Sequence, residues 1–298
     1  MLKEVPGPTS YAKRNVSEDS VASAWRLFVD DPMLRHIKLC TEAEATRKGE
    51  ENWTVSLEEI EAFVAILYAR GAYGLSSMDY DLLWSSTWGP AFFSQTMSRN
   101  RFQEIMRYLR FDEKRTRSAR LETDKFALVS ATWNKFIEDC VLCYKPHENL
   151  TVDEQLFPTK ARCRFTQYMS NKPDKFGIKF WMAADVQSKY MCNAFPYLGK
   201  DDTRPADISL PESVVMRLLH PYLNTGRNVT TDNFFTSVKL AKKLKDKKTS
   251  LVGTVNRIRR EVPDSVKKSK TTLHETAVLK HADDITLTVY QGKCTQSV

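Results

Sequence analysis

Apolar and polar positions repeat with two different periods along this chain, and the period changes once, near Pro146. Upstream the repeat is helical. Residues 1–19 are polar with two prolines and read as a loose lead-in. The segment SVASAWRLFVDD predicts a short helix, followed by a polar, charged linker through Asn52. Ser56 and Glu59 have capping-box spacing, and Ile60, Phe63, Val64 and Leu67 follow with helical periodicity. Arg70, Gly71 and Gly74 close that helix. Ser98 is placed to cap a second helix, with Phe102, Ile105, Met106 and Leu109 on one stripe. A third, from about Asp124 to Tyr144, carries Phe126, Val129, Trp133, Phe136, Ile137 and Cys140.

Downstream the pattern shortens. ENLTVDEQLF, GIKFWMAADV and KYMCNAFPYL predict three strands, the last two joined by a turn around Gln187, Ser188 and Lys189. Helical residues follow Pro211, and NVTTDNFF is the next strand and its exit. Ser237 caps a basic helix, VKLAKKLKDKK, SLVGTV makes a fifth strand, and ITLTVYQ is a late one. An antiparallel meander continuing into β-α-β units is an α/β layout, that of a ribonuclease H-like core, incomplete here and preceded by an α-helical domain. Right-handed crossovers place residues 150–157 beside residues 228–234. The expected organisation is a lead-in with a short helix over 1–52, a helical region over 53–145 and the α/β core over 146–298.

The chain has 298 residues and 42% hydrophobic residues, enough to bury a sizeable core. It has no run of about 18 apolar residues, so no membrane-spanning helix is expected. Six scattered cysteines do not make a disulfide scaffold; Cys140 and Cys143 read as two packed thiols on a helix rather than half of a zinc site. The net charge of +8 is unevenly spread: residues 1–98 carry 9 basic and 14 acidic side chains, residues 238–270 carry 12 and 3. Such a stripe attracts polyanions, nucleic acid first, or keeps a helix face soluble.

Two acids sit where acids are costly. Asp153 interrupts a β-forming run, and Asp232 stands where the fourth strand leaves the sheet. If those strands are neighbours, the carboxylates converge and suit a hard divalent ion such as Mg²⁺. Two other readings stay open: Asp153 faces solvent, or Asp232 caps the following turn. Arg162, Arg164, Lys172, Lys175 and Lys179 follow the first acid, and Lys239, Lys242, Lys243 and further lysines to Lys248 follow the second. They are candidates for DNA phosphates or for a soluble surface. Trp84, Trp88, Trp133 and Trp181 are read as core, and no histidine pair has ligand spacing.

The segments NLTVDEQLF, YMSNKPDKFGIKFWMAADVQSKY, FPYLGK, NVTTDNFFTSVKLAKKL, VGTVNRIRREVPDSVKKSK and DDITLTVYQGK resemble, in order and spacing, the core of piggyBac transposases. Upstream, MSRNRFQEIMRYLRFDE resembles the helical region that serves dimerisation and DNA binding in that family. The resemblance implies a nuclear protein with an Asp-Asp-Asp core binding two Mg²⁺ (or Mn²⁺) ions. That core nicks and hairpins transposon ends and joins DNA at TTAA. Carried over by motif, Asp153 and Asp232 are the first and second metal ligands. The third lies in a Gly-Gly-Val-Asp motif beyond the strand matching ITLTVYQ, and neither Asp283 nor Asp284 matches it. Residues 1–298 are therefore expected not to excise or integrate DNA. The alternative is a non-catalytic DNA-binding or dimerising protein derived from a transposase.

Overall fold

Asp30 starts the longest helix: its carboxylate accepts a hydrogen bond from the Met33 amide at 2.9 Å, and Pro32 occupies the first turn, where no amide donor is needed. A computed structural model of the chain describes residues 2–161, 163–200, 204–268, 272–281 and 283–292. In it this helix, α1 (Asp31–Arg47), replaces most of the linker expected up to Asn52. Its buried stripe is Met33, Leu34, Ile37, Cys40, Thr41, Glu44 and Ala45. Two of the seven are polar, which hides the stripe from an apolar count.

The chain divides into two compact units, Glu4–His147 with Glu154–Thr203, and Met1–Lys3, Glu148–Asp153 and Arg204–Val298. In the first, α1 is followed by α2 (Leu57–Ala72), whose capping box is complete. Ser56 Oγ accepts from the Glu59 amide at 3.1 Å, and Glu59 Oε2 accepts from the Ser56 amide at 2.9 Å. Ser98 caps α3 (Arg99–Tyr108). Leu34, Ile37, Ile60, Phe63, Ile66, Phe93, Phe102 and Ile105 form the core between them, with Phe63 stacked on Phe102 at 5.0 Å. Leu67 and Met106, expected inside, are partly exposed, whereas Ile66 and Tyr108 are buried.

Helix α4 (Lys114–Thr123) buries no residue, so no periodic pattern announces it. Helix α5 (Ser130–Cys143) begins later than expected, because Asp124 instead holds a turn through the Phe126 amide at 2.8 Å. Strands then take over. In this unit the later half of β1 (Asn149–Pro158) lies beside β3 (Phe176–Asp185), which pairs antiparallel with β2 (Thr166–Tyr168) and β4 (Met191–Pro196). Strand β2 is too short to show in the sequence pattern.

In the other unit the first half of β1 pairs parallel with β5 (Asn228–Thr231), which pairs parallel with β6 (Ser250–Gly253). The register runs from Asn149 opposite Asn228 to Val152 opposite Thr231. Adjacency was expected of residues 150–157 and 228–234; the pairing observed covers residues 149–152 and 228–231. Helix α6 (Leu210–Leu219) precedes β5, and α7 (Val238–Asp246), capped by Ser237, joins β5 to β6. A hairpin of β7 (Thr276–His281) and β8 (Ile285–Tyr290) follows, β7 being unexpected. The fold is mixed α/β.

Candidate active site

Parallel pairing puts Val152 directly opposite Thr231, and one step further along the chain stand Asp153 and Asp232. Neighbouring strands are about 4.8 Å apart, and the two acids are the residues that directly follow the last paired positions. The pleat decides their faces. Leu150 and Val152 on β1, with Val229 and Thr231 on β5, are buried, while Asp153 and Asp232 are both exposed. Both acids thus follow inward-facing residues and are open to solvent.

Asp232 has already left the ladder. Its Oδ1 accepts hydrogen bonds from the amides of Phe234 at 3.0 Å and Phe235 at 3.4 Å, so it also caps the turn. Its Oδ2 accepts no hydrogen bond among the described residues. Phe235 is buried below the turn, and Arg259 Nη2 donates to the carbonyl oxygens of Asn233 at 2.7 Å and Phe234 at 3.2 Å. The sequence pointed to neither Arg259, 27 residues from Asp232, nor the hydroxyls of Thr231 and Thr236. Only the Thr-Thr-Asp-Asn-Phe-Phe-Thr spacing could have found the latter.

Two carboxylates on one open face are hard oxygen donors and fit a Mg²⁺ ion, which is commonly held by one or two carboxylates with water and substrate phosphates. Among the described residues no group of three His, Cys, Asp or Glu side chains could hold a metal. Asp283 and Asp284 are engaged elsewhere, each 2.7 Å from a lysine, Lys242 and Lys245 respectively.

The basic candidates separate by environment. Arg162 lies outside the described residues. Arg164 and Lys175 are exposed. Lys172 is 3.7 Å from Glu154, and Lys179 Nζ lies over the Trp181 ring, 3.9 Å from its centroid. Lys239 and Lys243 reach the buried Glu212 at 3.2 and 3.0 Å. Burial alone would raise the Glu212 pKa, but the hydrogen bonds from Lys243 and Lys239 outweigh it and hold it below the usual range. These two lysines are thus partly committed to an internal carboxylate while remaining open to solvent.

Other candidates resolve as structure. Cys140 and Cys143 are buried free thiols on α5, and burial pushes Cys140 up to about 11, so it is neutral at physiological pH. Trp181 is buried and Trp84 donates to the Met97 carbonyl at 2.7 Å, whereas Trp88 is exposed. His147, which the sequence left without a role, bonds through Nδ1 to buried Asp185 at 2.7 Å. The amides of His147 and Gln187 and the hydroxyls of Ser188 and Tyr144 complete that carboxylate's partners. Burial opposes ionisation of Asp185, but these bonds outweigh it and hold its pKa below the usual range. It anchors the turn into β4.

The family profile described as Transposase IS4 matches residues 22–298, which fixes the class. A cryo-EM structure of a piggyBac transposase synaptic complex with hairpin DNA superimposes with a TM-score of 0.90 at 34% identity, covering 97% of this chain and 61% of that one. Human PiggyBac transposable element-derived protein 3 is 27% identical over 242 residues, 78% of this chain and 39% of that protein. The human Chimeric ERCC6-PGBD3 protein matches over the same length at 27%, there 22% of the relative. The chain belongs to the piggyBac-type transposase family. It spans less than two thirds of the length of each of these relatives.

Proposed function

We propose that residues 146–298 form the ribonuclease H-like DNA strand-transfer core of a piggyBac-type transposase-derived protein, with Asp153 and Asp232 as two of its acidic metal ligands. The observation carrying this is that two exposed acids directly follow the last paired residues of parallel neighbouring strands. A bound Mg²⁺ or Mn²⁺ supplies charge neutralisation at a phosphodiester and lowers the pKa of an attacking water or 3′-hydroxyl. The chain's own residues do the positioning. Asp153 extends from a strand paired into the sheet, and the amides of Phe234 and Phe235 hold one oxygen of Asp232 so that the other is offered outward. Exposed Arg164 and Lys175, with Arg162, Lys172, Lys179, Lys239, Lys242 and Lys243, contribute to phosphate contact.

The lead-in of residues 1–52 precedes a helical region, residues 53–145, that serves dimerisation and DNA contact. The protein acts in the nucleus on transposon ends and TTAA targets. With two acids at the site among the described residues, the metal is held weakly and DNA is bound without being excised. Titration with Mn²⁺, read by electron paramagnetic resonance, tests the acidic site. Asp153→Asn and Asp232→Asn are each expected to weaken binding by about tenfold or more. Wild-type affinity in both variants would sink the assignment. Asp232's use as a turn cap favours a second reading, a DNA-binding remnant without catalysis. DNA affinity indifferent to both substitutions and to chelation, with no excision from a TTAA-flanked plasmid, supports that reading.

A further inference from the structure

We propose that Thr231, Thr236 and Gly253 are positioning residues that fix the turn presenting the Asp232 carboxylate. The inference rests on the reading of Asp232 as a metal ligand. The hydroxyls of Thr231 and Thr236 are both buried and lie 2.7 Å apart. Thr236 Oγ1 donates to the Asp232 carbonyl at 2.6 Å, and the Thr236 amide donates to the same oxygen at 3.1 Å. A single carbonyl thus takes two bonds from one residue. With Thr236 donating there, Thr231 Oγ1 donates to Thr236 Oγ1, so the hydroxyls form a directed chain ending at the peptide of the acid. That chain closes the turn and aims the Phe234 and Phe235 amides at Asp232 Oδ1.

An Asx turn alone does not need this support; the acid's own side chain supplies its defining bonds. Two buried hydroxyls are also a cost that an apolar pair such as valines would avoid. The neighbouring strand carries a second, independent sign. Gly253 on β6 has no side chain, and a Cβ there would run into Thr236 Oγ1 and stand 2.6 Å from the Thr231 carbonyl oxygen and 2.9 Å from Thr231 Oγ1. A glycine in a strand marks a site where other atoms approach closely, and here it gives the hydroxyl pair its room.

Mn²⁺ affinity by electron paramagnetic resonance, read beside thermal melting, tests this. Thr236→Val keeps the shape and removes the hydroxyl, and is expected to lower affinity about tenfold, while Thr236→Ser stays within about twofold of wild type. Gly253→Ala is expected to weaken binding in the same direction. A fall in melting temperature with wild-type Mn²⁺ affinity in Thr236→Val would overturn the proposal, provided Asp232→Asn loses binding. If Asp232→Asn binds Mn²⁺ like wild type, the metal-ligand reading fails first and takes this one with it. Should Thr236→Val not fold, Thr231→Val decides, because it leaves the Thr236 donor in place. A loss of about threefold supports the chain of hydroxyls, and no loss overturns it.

Discussion

Glu44 shows how a single side chain couples the helical core to pH. Its buried carboxylate accepts Arg47 Nε and Nη2 at 2.6 and 2.7 Å and Arg110 Nη2 at 2.9 Å. The Arg47 bonds are the largest influence, and they hold the pKa down to about 2 from an ordinary 4.5. A depressed pKa means stability that is present above pH 4.5 and lost as the pH falls towards 2. Glu44→Gln is expected to cost about 1–3 kcal/mol at neutral pH. In urea unfolding at a series of pH values, the gap between wild type and variant should close across that acid window. A constant gap from neutral pH to acid would show that Glu44 is not held ionised. The sequence could not announce this residue, because one of its two partners stands 66 positions away.

Elements were legible where their signals are local. Ser56, Ser98 and Ser237 mark helix starts because the capping bond spans three residues, so spacing alone carries it. Helix α1 was missed because Thr41 and Glu44 sit on its buried stripe, and α4 because it has no buried stripe. The clasp between α6 and α7 was equally invisible: Lys239 and Lys243, one helical turn apart, both reach Glu212 across 31 residues or less. Replacing both lysines by methionine leaves a buried carboxylate alone. It is expected to destabilise the fold by about 1–3 kcal/mol, the lysines' exposure limiting the loss. Adding Glu212→Met should recover most of it. Thermal melting of the double and triple variants checks this, and an unrecovered triple variant would count against the clasp.

For the whole molecule, the excess of basic over acidic residues overstates what a polyanion would meet. Lys239, Lys243, Lys242 and Lys245 share their charge with Glu212, Asp283 and Asp284, while Arg164 and Lys175 stand in solvent. The DNA binding proposed above should therefore weaken with salt less steeply than the net charge suggests. Arg164→Ala and Lys175→Ala should each flatten the salt slope by about one, and Lys243→Ala by less. An equal change for all three, measured by fluorescence anisotropy over a salt series, would contradict the difference in environment. The pairing of the strands that lead to Asp153 and Asp232 was readable because strand order around a β-α-β unit is tightly restricted. Arg259's approach to the Asp232 turn was not, since no local pattern encodes a loop folding back. Gly253 carries the longest shadow. A strand position open to water ordinarily drifts among many residue types, yet here an added Cβ collides with the hydroxyl of Thr236 and crowds that of Thr231. Position 253 is thus tied to the side chains at 231 and 236, and a larger residue fits there only once those two have been cut back.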